Sequence, residues 1–162
     1  MSAVRIDLSA PNAMQPGWTP AAHDVRVAPW PWADGSVDEL RCDDRFHRLA
    51  APARIRFMEE AWRVLKAGGT LEVTVPHARS EAANAPDAVW PPLVENSFLY
   101  FDAEARADMR VAHYEIHCDF AVEIGVRMDS AWDARPEAEK LHAIRHFHGA
   151  VAAMTAFLTK RP

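Results

Sequence analysis

A chain of 162 residues falls in the size range of one domain and is long enough to bury a core without disulfide or metal staples. Hydrophobic residues at 49% and charged residues at 25% give the profile of a folded globular protein and exclude a disordered or collagen-like one. The formal charge of -5 argues against a surface that holds nucleic acid through phosphate neutralisation.

Val4 to Ser9 (VRIDLS) reads as a short strand ended by Pro11, Pro16, Gly17 and Pro20, which break regular structure. His23 to Val27 is a second strand candidate, and Ala28 to Gly35 (APWPWADG) a turn-rich link into a third strand, Val37 to Asp43. From Pro52 to Lys66 the residues Ile55, Met58, Trp62 and Leu65 recur at helical spacing, with Arg54, Arg56, Glu59, Glu60 and Arg63 on the other side. Gly68 and Gly69 stop that helix, and Thr70 to Val75 follows as a strand ended by Pro76. His77 to Pro92 is irregular, and Asn96 to Phe101 is a short helix. Ala112 to Ile124 has apolar or aromatic residues at every even position, the pattern of a strand with one buried face. Leu141, Ile144, Phe147, Val151, Met154 and Leu158 recur at steps of three and four, which predicts a closing helix from Pro136 to Thr159.

Cys42 and Cys118 are too few for a disulfide framework and lack the spacing of a zinc ribbon or a C-x-x-C motif, which fits a reducing compartment. Residues 1–9 contain no apolar stretch of signal-peptide length and no later run approaches a membrane span, so a cytoplasmic protein without membrane contact is expected.

The alternating strand and helix order favours a largely parallel sheet, which binds ligands at the carboxyl ends of its strands. Two stretches go further. Asp24 to Leu40 (DVRVAPWPWADGSVDEL) resembles the part of class I S-adenosylmethionine-dependent methyltransferases in which an Asp ends the third strand and a P-F-P-D-x-S-F-D turn leads into the fourth. Met58 to Leu71 (MEEAWRVLKAGGTL) is similar to their E-x-x-R-V-L-K-P-G-G-x-L segment before the fifth strand. The likeness extends to Val75-Pro76-His77 and to Glu95 to Phe101, covering Val4 to Asp102 in all.

The resemblance implies a three-layer α/β Rossmann-like methyltransferase sheet that lacks its first strand and helix, with S-adenosylmethionine as cofactor. It implies that Asp7 ends the second strand and accepts from the ribose hydroxyls, and that Asp24 and the Val25 amide meet the adenine. Asp43, Asp44 and His47 cluster where a fourth strand would meet its helix, a place where substrates approach in α/β folds, and Asp43, His47 and His77 are the substrate-binding candidates. Each has a plainer reading: Asp7 as a carboxylate capping a turn, Asp24 as a polar strand terminus, and Asp43, Asp44 and His47 as solvated charges after a strand. The family's glycine-rich turn has no counterpart upstream of Asp7, which predicts weak or absent cofactor binding by the isolated chain. Phe46-His47-Arg48 stands where the family often has L-E-H. His113 with His117, and His142 with His146, share faces at spacings compatible with a metal, but the H-E-x-x-H context is missing and no metal is expected. Two functions follow: a methyltransferase of unknown acceptor, or a non-catalytic methyltransferase-like binding or structural subunit. The missing first strand either brings Val4 to Ser9 directly beside Val37 to Asp43 or leaves unpaired backbone there. An unpaired edge and an apolar closing helix, which could instead cover the sheet face left bare, predict a homo-oligomer or an obligate protein partner, with that helix at the contact.

Overall fold

The structure is a computed structural model and describes every residue except Met1, Ser2, Asp87 and Ala112. Six strands form one sheet: β1 (Arg5–Asp7), β2 (Thr19–Pro20), β3 (Val37–Asp43), β4 (Leu65–Pro76), β5 (Phe120–Met128) and β6 (Val151–Lys160). Their order is β2-β1-β3-β4-β6-β5, with the first four parallel and β6 and β5 antiparallel. The helices are α1 (Ala51–Val64), α2 (Asn96–Leu99), α3 (Ala103–Asp108) and α4 (Glu137–His146).

β1 lies directly against β3, with Asp7 beside Arg41. That is the place of the first strand in a doubly wound sheet of order 3-2-1-4-5, so whatever the full fold has there, this chain fills it with Arg5–Asp7. Between β1 and β2 the segment carries a single turn of 3-10 helix, Pro11–Ala13.

The pleat sends Ile6, Leu40, Leu71, Val73, Met154 and Leu158 to one face, where they join a buried core with Phe57, Met58, Ala61 and Val64 of α1. The other face is polar. Over β4, β6 and β5 it is open to solvent: Phe157 is 47% exposed, and Glu123, Gly125 and Thr159 are exposed beside it. A doubly wound sheet covered on both faces reads as continuous apolar runs, whereas these strands alternate, which is the pattern of a sheet with one wet face. Among the described residues no helix covers this part of the polar face.

Several local expectations change. His23 to Val27 forms no strand, and the pairing with β1 is made by Thr19–Pro20 instead. The closing helix ends at His146, because Gly149 at φ 78 turns the chain and residues 151–160 form β6 between β4 and β5. Steps of three and four had hidden the alternation of Met154, Ala156 and Leu158, all fully buried, with Thr155, Phe157 and Thr159. Val151 is therefore core, and an interface built on a helix through it does not exist. The strand expected over Ala112 to Ile124 begins at Phe120 and runs on to Met128; Ala112 lies outside the described residues.

α1 buries Arg54, Phe57, Met58, Ala61 and Val64, one step round from the expected stripe. Trp62 is half-buried: its indole N–H donates to the Asp119 carbonyl at 3.1 Å and the Lys160 ammonium lies 4.4 Å from its ring centroid. Gly68 takes φ 75 after the helix, and a Cβ on Gly69 would stand 2.9 Å from the Lys66 carbonyl and 3.0 Å from that of Asp38. The first position needs a left-handed residue and the second the absence of a side chain.

Both cysteines are free and buried, and burial pushes each thiol up to about 12. At neutral pH the thiolate fraction is then negligible, so neither should react with iodoacetamide in the folded protein. Mass spectrometry should show no alkylation until denaturant is added; rapid labelling of Cys42 in the native protein would contradict its position in the core. No helix among the described residues is long and apolar enough to cross a membrane.

Candidate functional site

The order of the sheet reverses between β1 and β3, and in open α/β sheets ligands bind in the crevice outside the strand ends at such a switch point. Here that crevice holds a buried polar network. Asp7, at the end of β1 and fully buried, accepts from the Ser9 amide (2.9 Å, Oδ1) and the Gln15 amide (2.9 Å, Oδ2). Arg41 reaches across from β3, 6% exposed. Its Nη1 donates to the Ala13 carbonyl (2.8 Å) and lies 3.4 Å from both Asp7 Oδ2 and Ser9 Oγ, and its Nη2 donates to Asp43 Oδ2 at 3.0 Å. Ser9 Oγ accepts from the Asp43 amide at 2.8 Å. Arg41 Nε is buried without a hydrogen bond, 4.0 Å from Glu72 Oε1.

Burial acts to raise the Asp7 pKa, but the Ser9 side chain, the Gln15 and Ser9 amides and the Arg41 charge outweigh it and hold the carboxyl below its ordinary value. A desolvated ion pair of this kind needs its remaining hydrogen-bonding positions filled, and the turn after β1 fills most of them.

The resemblance puts the cofactor ribose at Asp7, beside this turn. Residues 9–12 read Ser-Ala-Pro-Asn: Pro11 has no N–H to offer, the Ala13 carbonyl is bound by Arg41, and the Gln15 N–H is bound by Asp7. A cradle for S-adenosylmethionine needs free backbone N–H groups and glycines that allow close approach. The residues present do not fit that requirement.

Of the other sequence-derived candidates, Asp24 and Val25 both line an open cavity of about 570 Å³, together with His23, Arg26, Arg45 and Arg48. The Asp24 carboxylate is gripped by Arg26, whose Nε and Nη2 donate at 2.8 to 3.1 Å and whose amide donates at 3.0 Å; these bonds hold its pKa far below the carboxylate range. Val25 is buried, and its carbonyl accepts from the Trp30 indole at 3.3 Å. Asp43 belongs to the Arg41 network. His47 lies in the turn Phe46–Arg48, its Nε2 3.6 Å from Asp44 Oδ1. Asp44 itself takes φ 53, a conformation that Asp tolerates better than most residues. His77 follows β4, 2% exposed; its Nδ1 accepts from the Arg79 amide at 3.1 Å and its Nε2 lies 3.3 Å from Glu95 Oε2. The structure thus joins Asp7 with Asp43, and Asp24 with Val25, and leaves His77 in a buried turn.

Two residues that sequence reasoning placed on the helix surface hold the Pro-Trp-Pro-Trp turn. Glu60 accepts from the Trp30 amide at 2.6 Å, while Arg63 donates to the carbonyls of Trp30 and Trp32, to Asp34 and to Glu60. The Glu-x-x-Arg spacing in the second stretch is therefore a clamp on the first. The sequence pattern does not mark Arg41, which stands in a strand that also carries Asp38, Glu39 and Asp43.

No protein-family model matches the sequence, and no curated protein matches it significantly. Solved structures do match. A SAM-dependent methyltransferase from Archaeoglobus fulgidus superposes with a TM-score of 0.60 at 9% identity, covering 89% of this chain and 68% of that one. A Haloferax volcanii protein described as a methyltransferase, solved in complex with the methyltransferase activator Trm112, gives 0.53 at 16% identity, over 93% of this chain and 65% of its own. A SAM-dependent methyltransferase from Mesorhizobium loti gives 0.51 at 16% identity, over 92% and 72%. The chain spans about two thirds of the length of these neighbours.

Proposed function

We propose that this chain, which has the fold of class I S-adenosylmethionine-dependent methyltransferases, does not hold S-adenosylmethionine by itself and serves as a non-catalytic, methyltransferase-like binding or structural subunit. The observation that carries this reading is the Arg41 network: the switch-point crevice is occupied by a guanidinium bound to Asp7, Asp43 and the Ala13 carbonyl. Catalysis of methyl transfer rests chiefly on holding donor and acceptor in line, and a closed crevice withdraws the donor half of that arrangement.

A second reading, an enzyme completed by a partner chain, is favoured by the 570 Å³ cavity beside Asp24 and Val25 and by the likeness to the Haloferax protein solved with an activator. The two readings part on the purified chain and its native assembly. In the first, neither binds the cofactor; in the second, the assembly does.

Thermal melting with S-adenosylhomocysteine tests the isolated chain. A ligand at a hundredfold excess over its Kd stabilises by about 2.7 kcal/mol, which is roughly 5 to 10 °C at about 2 to 4 °C per kcal/mol. The expected shift is none. A rise of that size would overturn the reading.

A further inference from the structure

We propose that the outer edge of β5 is a self-pairing surface, on which a second copy of this chain docks antiparallel about Gly125. β5 is the last strand of the sheet, nine residues long, and pairs with β6 on one side. Among the described residues, its outer side is met by one backbone hydrogen bond from another segment, from the Phe120 N–H to the Phe101 carbonyl at 2.9 Å. Phe120 therefore directs its N–H away from β6, and by the alternation of an antiparallel ladder Val122, Ile124 and Val126 do the same. Long edges in other proteins are blunted by proline, lysine or a bulge. Residues 120–127 contain neither proline nor lysine, and the irregularity in the ladder lies beyond them, between Arg127 and Met128.

What identifies the occupant is the placement of charge. Glu123 and Arg127 are exposed on the same face, one on each side of Gly125, and neither has an ion-pair partner within the chain among the described residues. Antiparallel pairing centred on Gly125 sets each Glu123 opposite the other copy's Arg127, so that the complementary pair forms twice. Moving the centre to Ile124 puts Glu123 against glycine, and moving it to Val126 puts Glu123 against Asp129. A centre at Glu123 opposes two glutamates. On the helix-bearing face the chosen register sets Ile124 against Val126 and Val122 against Met128, all half-buried and apolar in one chain. At the centre, Gly125 has no side chain where the two strands come nearest. The Phe157 ring, 3.6 Å from where a Gly125 Cβ would stand, covers its own strand there.

Sedimentation velocity over a dilution series tests this. The unaltered chain should be a dimer that dissociates on dilution. Glu123→Arg and Arg127→Glu should each weaken it at least about tenfold, because twofold symmetry applies every change twice, while leaving the circular dichroism and melting of the monomer unchanged. The double variant E123R/R127E restores the pair with the charges exchanged and should recover the dimer. Amide exchange of the unaltered chain gives a readout that needs no variant: the Val122, Ile124 and Val126 amides should exchange more slowly as concentration rises. A monomer at every concentration, a dimer indifferent to both reversals, or exchange at those amides that does not depend on concentration would each overturn the proposal.

Discussion

Replacing Asp7 by alanine should cost about 3 to 5 kcal/mol, the range for breaking a buried ion pair by removal of one partner. The carboxylate accepts the Ser9 and Gln15 amides and faces Arg41, so its loss leaves two backbone donors without their acceptor and a guanidinium, 6% exposed, short of one counter-charge. Against a typical domain stability of about 5 to 15 kcal/mol that loss is large. Urea denaturation measures it, and Asp7→Asn should fall between the variant and the parent, since its amide oxygen still accepts one backbone N–H. A residue that served to bind ribose hydroxyls would behave differently, leaving stability near that of the parent. The same carboxylate makes stability depend on pH. Its folded pKa lies below the unfolded value of about 3.9, so its contribution is fully present above that value and is lost as pH falls through the folded pKa. The protein should therefore weaken in acid from about pH 4 downward, and Asp7→Asn should flatten that limb of the curve.

Phe57→Ala is expected to cost about 3 to 5 kcal/mol as a core aromatic truncation. Phe57 is 1% exposed and meets Trp30 at 5.1 Å and Phe46 at 5.3 Å, both edge-on, and Phe46 stacks on Phe98 at 5.6 Å. One ring thus connects α1 with the Pro-Trp turn and with the segment before β5. Trp62→Ala should cost less, because that side chain is only partly buried and one face of its ring meets the Lys160 ammonium. Chemical denaturation of the two variants side by side gives the comparison; a larger loss at Trp62 would mean that the helix is rotated from the orientation described.

Particular residues explain what could be read in the sequence. Val37–Asp43 lies between the Gly35 turn and the charged Asp43-Asp44 pair, so its limits are legible even though its ladder shifts register between Val37 and Glu39. In α1 two stripes compete: Ile55, Met58, Trp62 and Leu65 are apolar at helical spacing, but so are Phe57, Ala61 and Val64, with Arg54 in line. The second wins because Arg54 satisfies itself on the carbonyls of Pro91, Val89 and His47 and can be buried. The closing strand was hidden by apolar residues that fit both periods, and the glycine at 149 was the discriminating signal. At the candidate site Asp7 is legible as the acidic end of a short apolar run, whereas its partner Arg41 is 34 residues away and meets it through a parallel register that no local pattern encodes. The two stretches that carry the family resemblance turned out to touch each other, through Glu60, Arg63 and the Trp30 turn. Their joint presence therefore reports the fold, and says less about the cofactor.

Isothermal titration of the purified chain with S-adenosylhomocysteine tests the closed crevice most directly. The network of Asp7, Ser9, Arg41 and Asp43 predicts no saturable heat in the micromolar range. A low micromolar Kd, about -8 kcal/mol of binding free energy, that vanishes in a folded Asp7→Asn variant would contradict it and return Asp7 to the ribose.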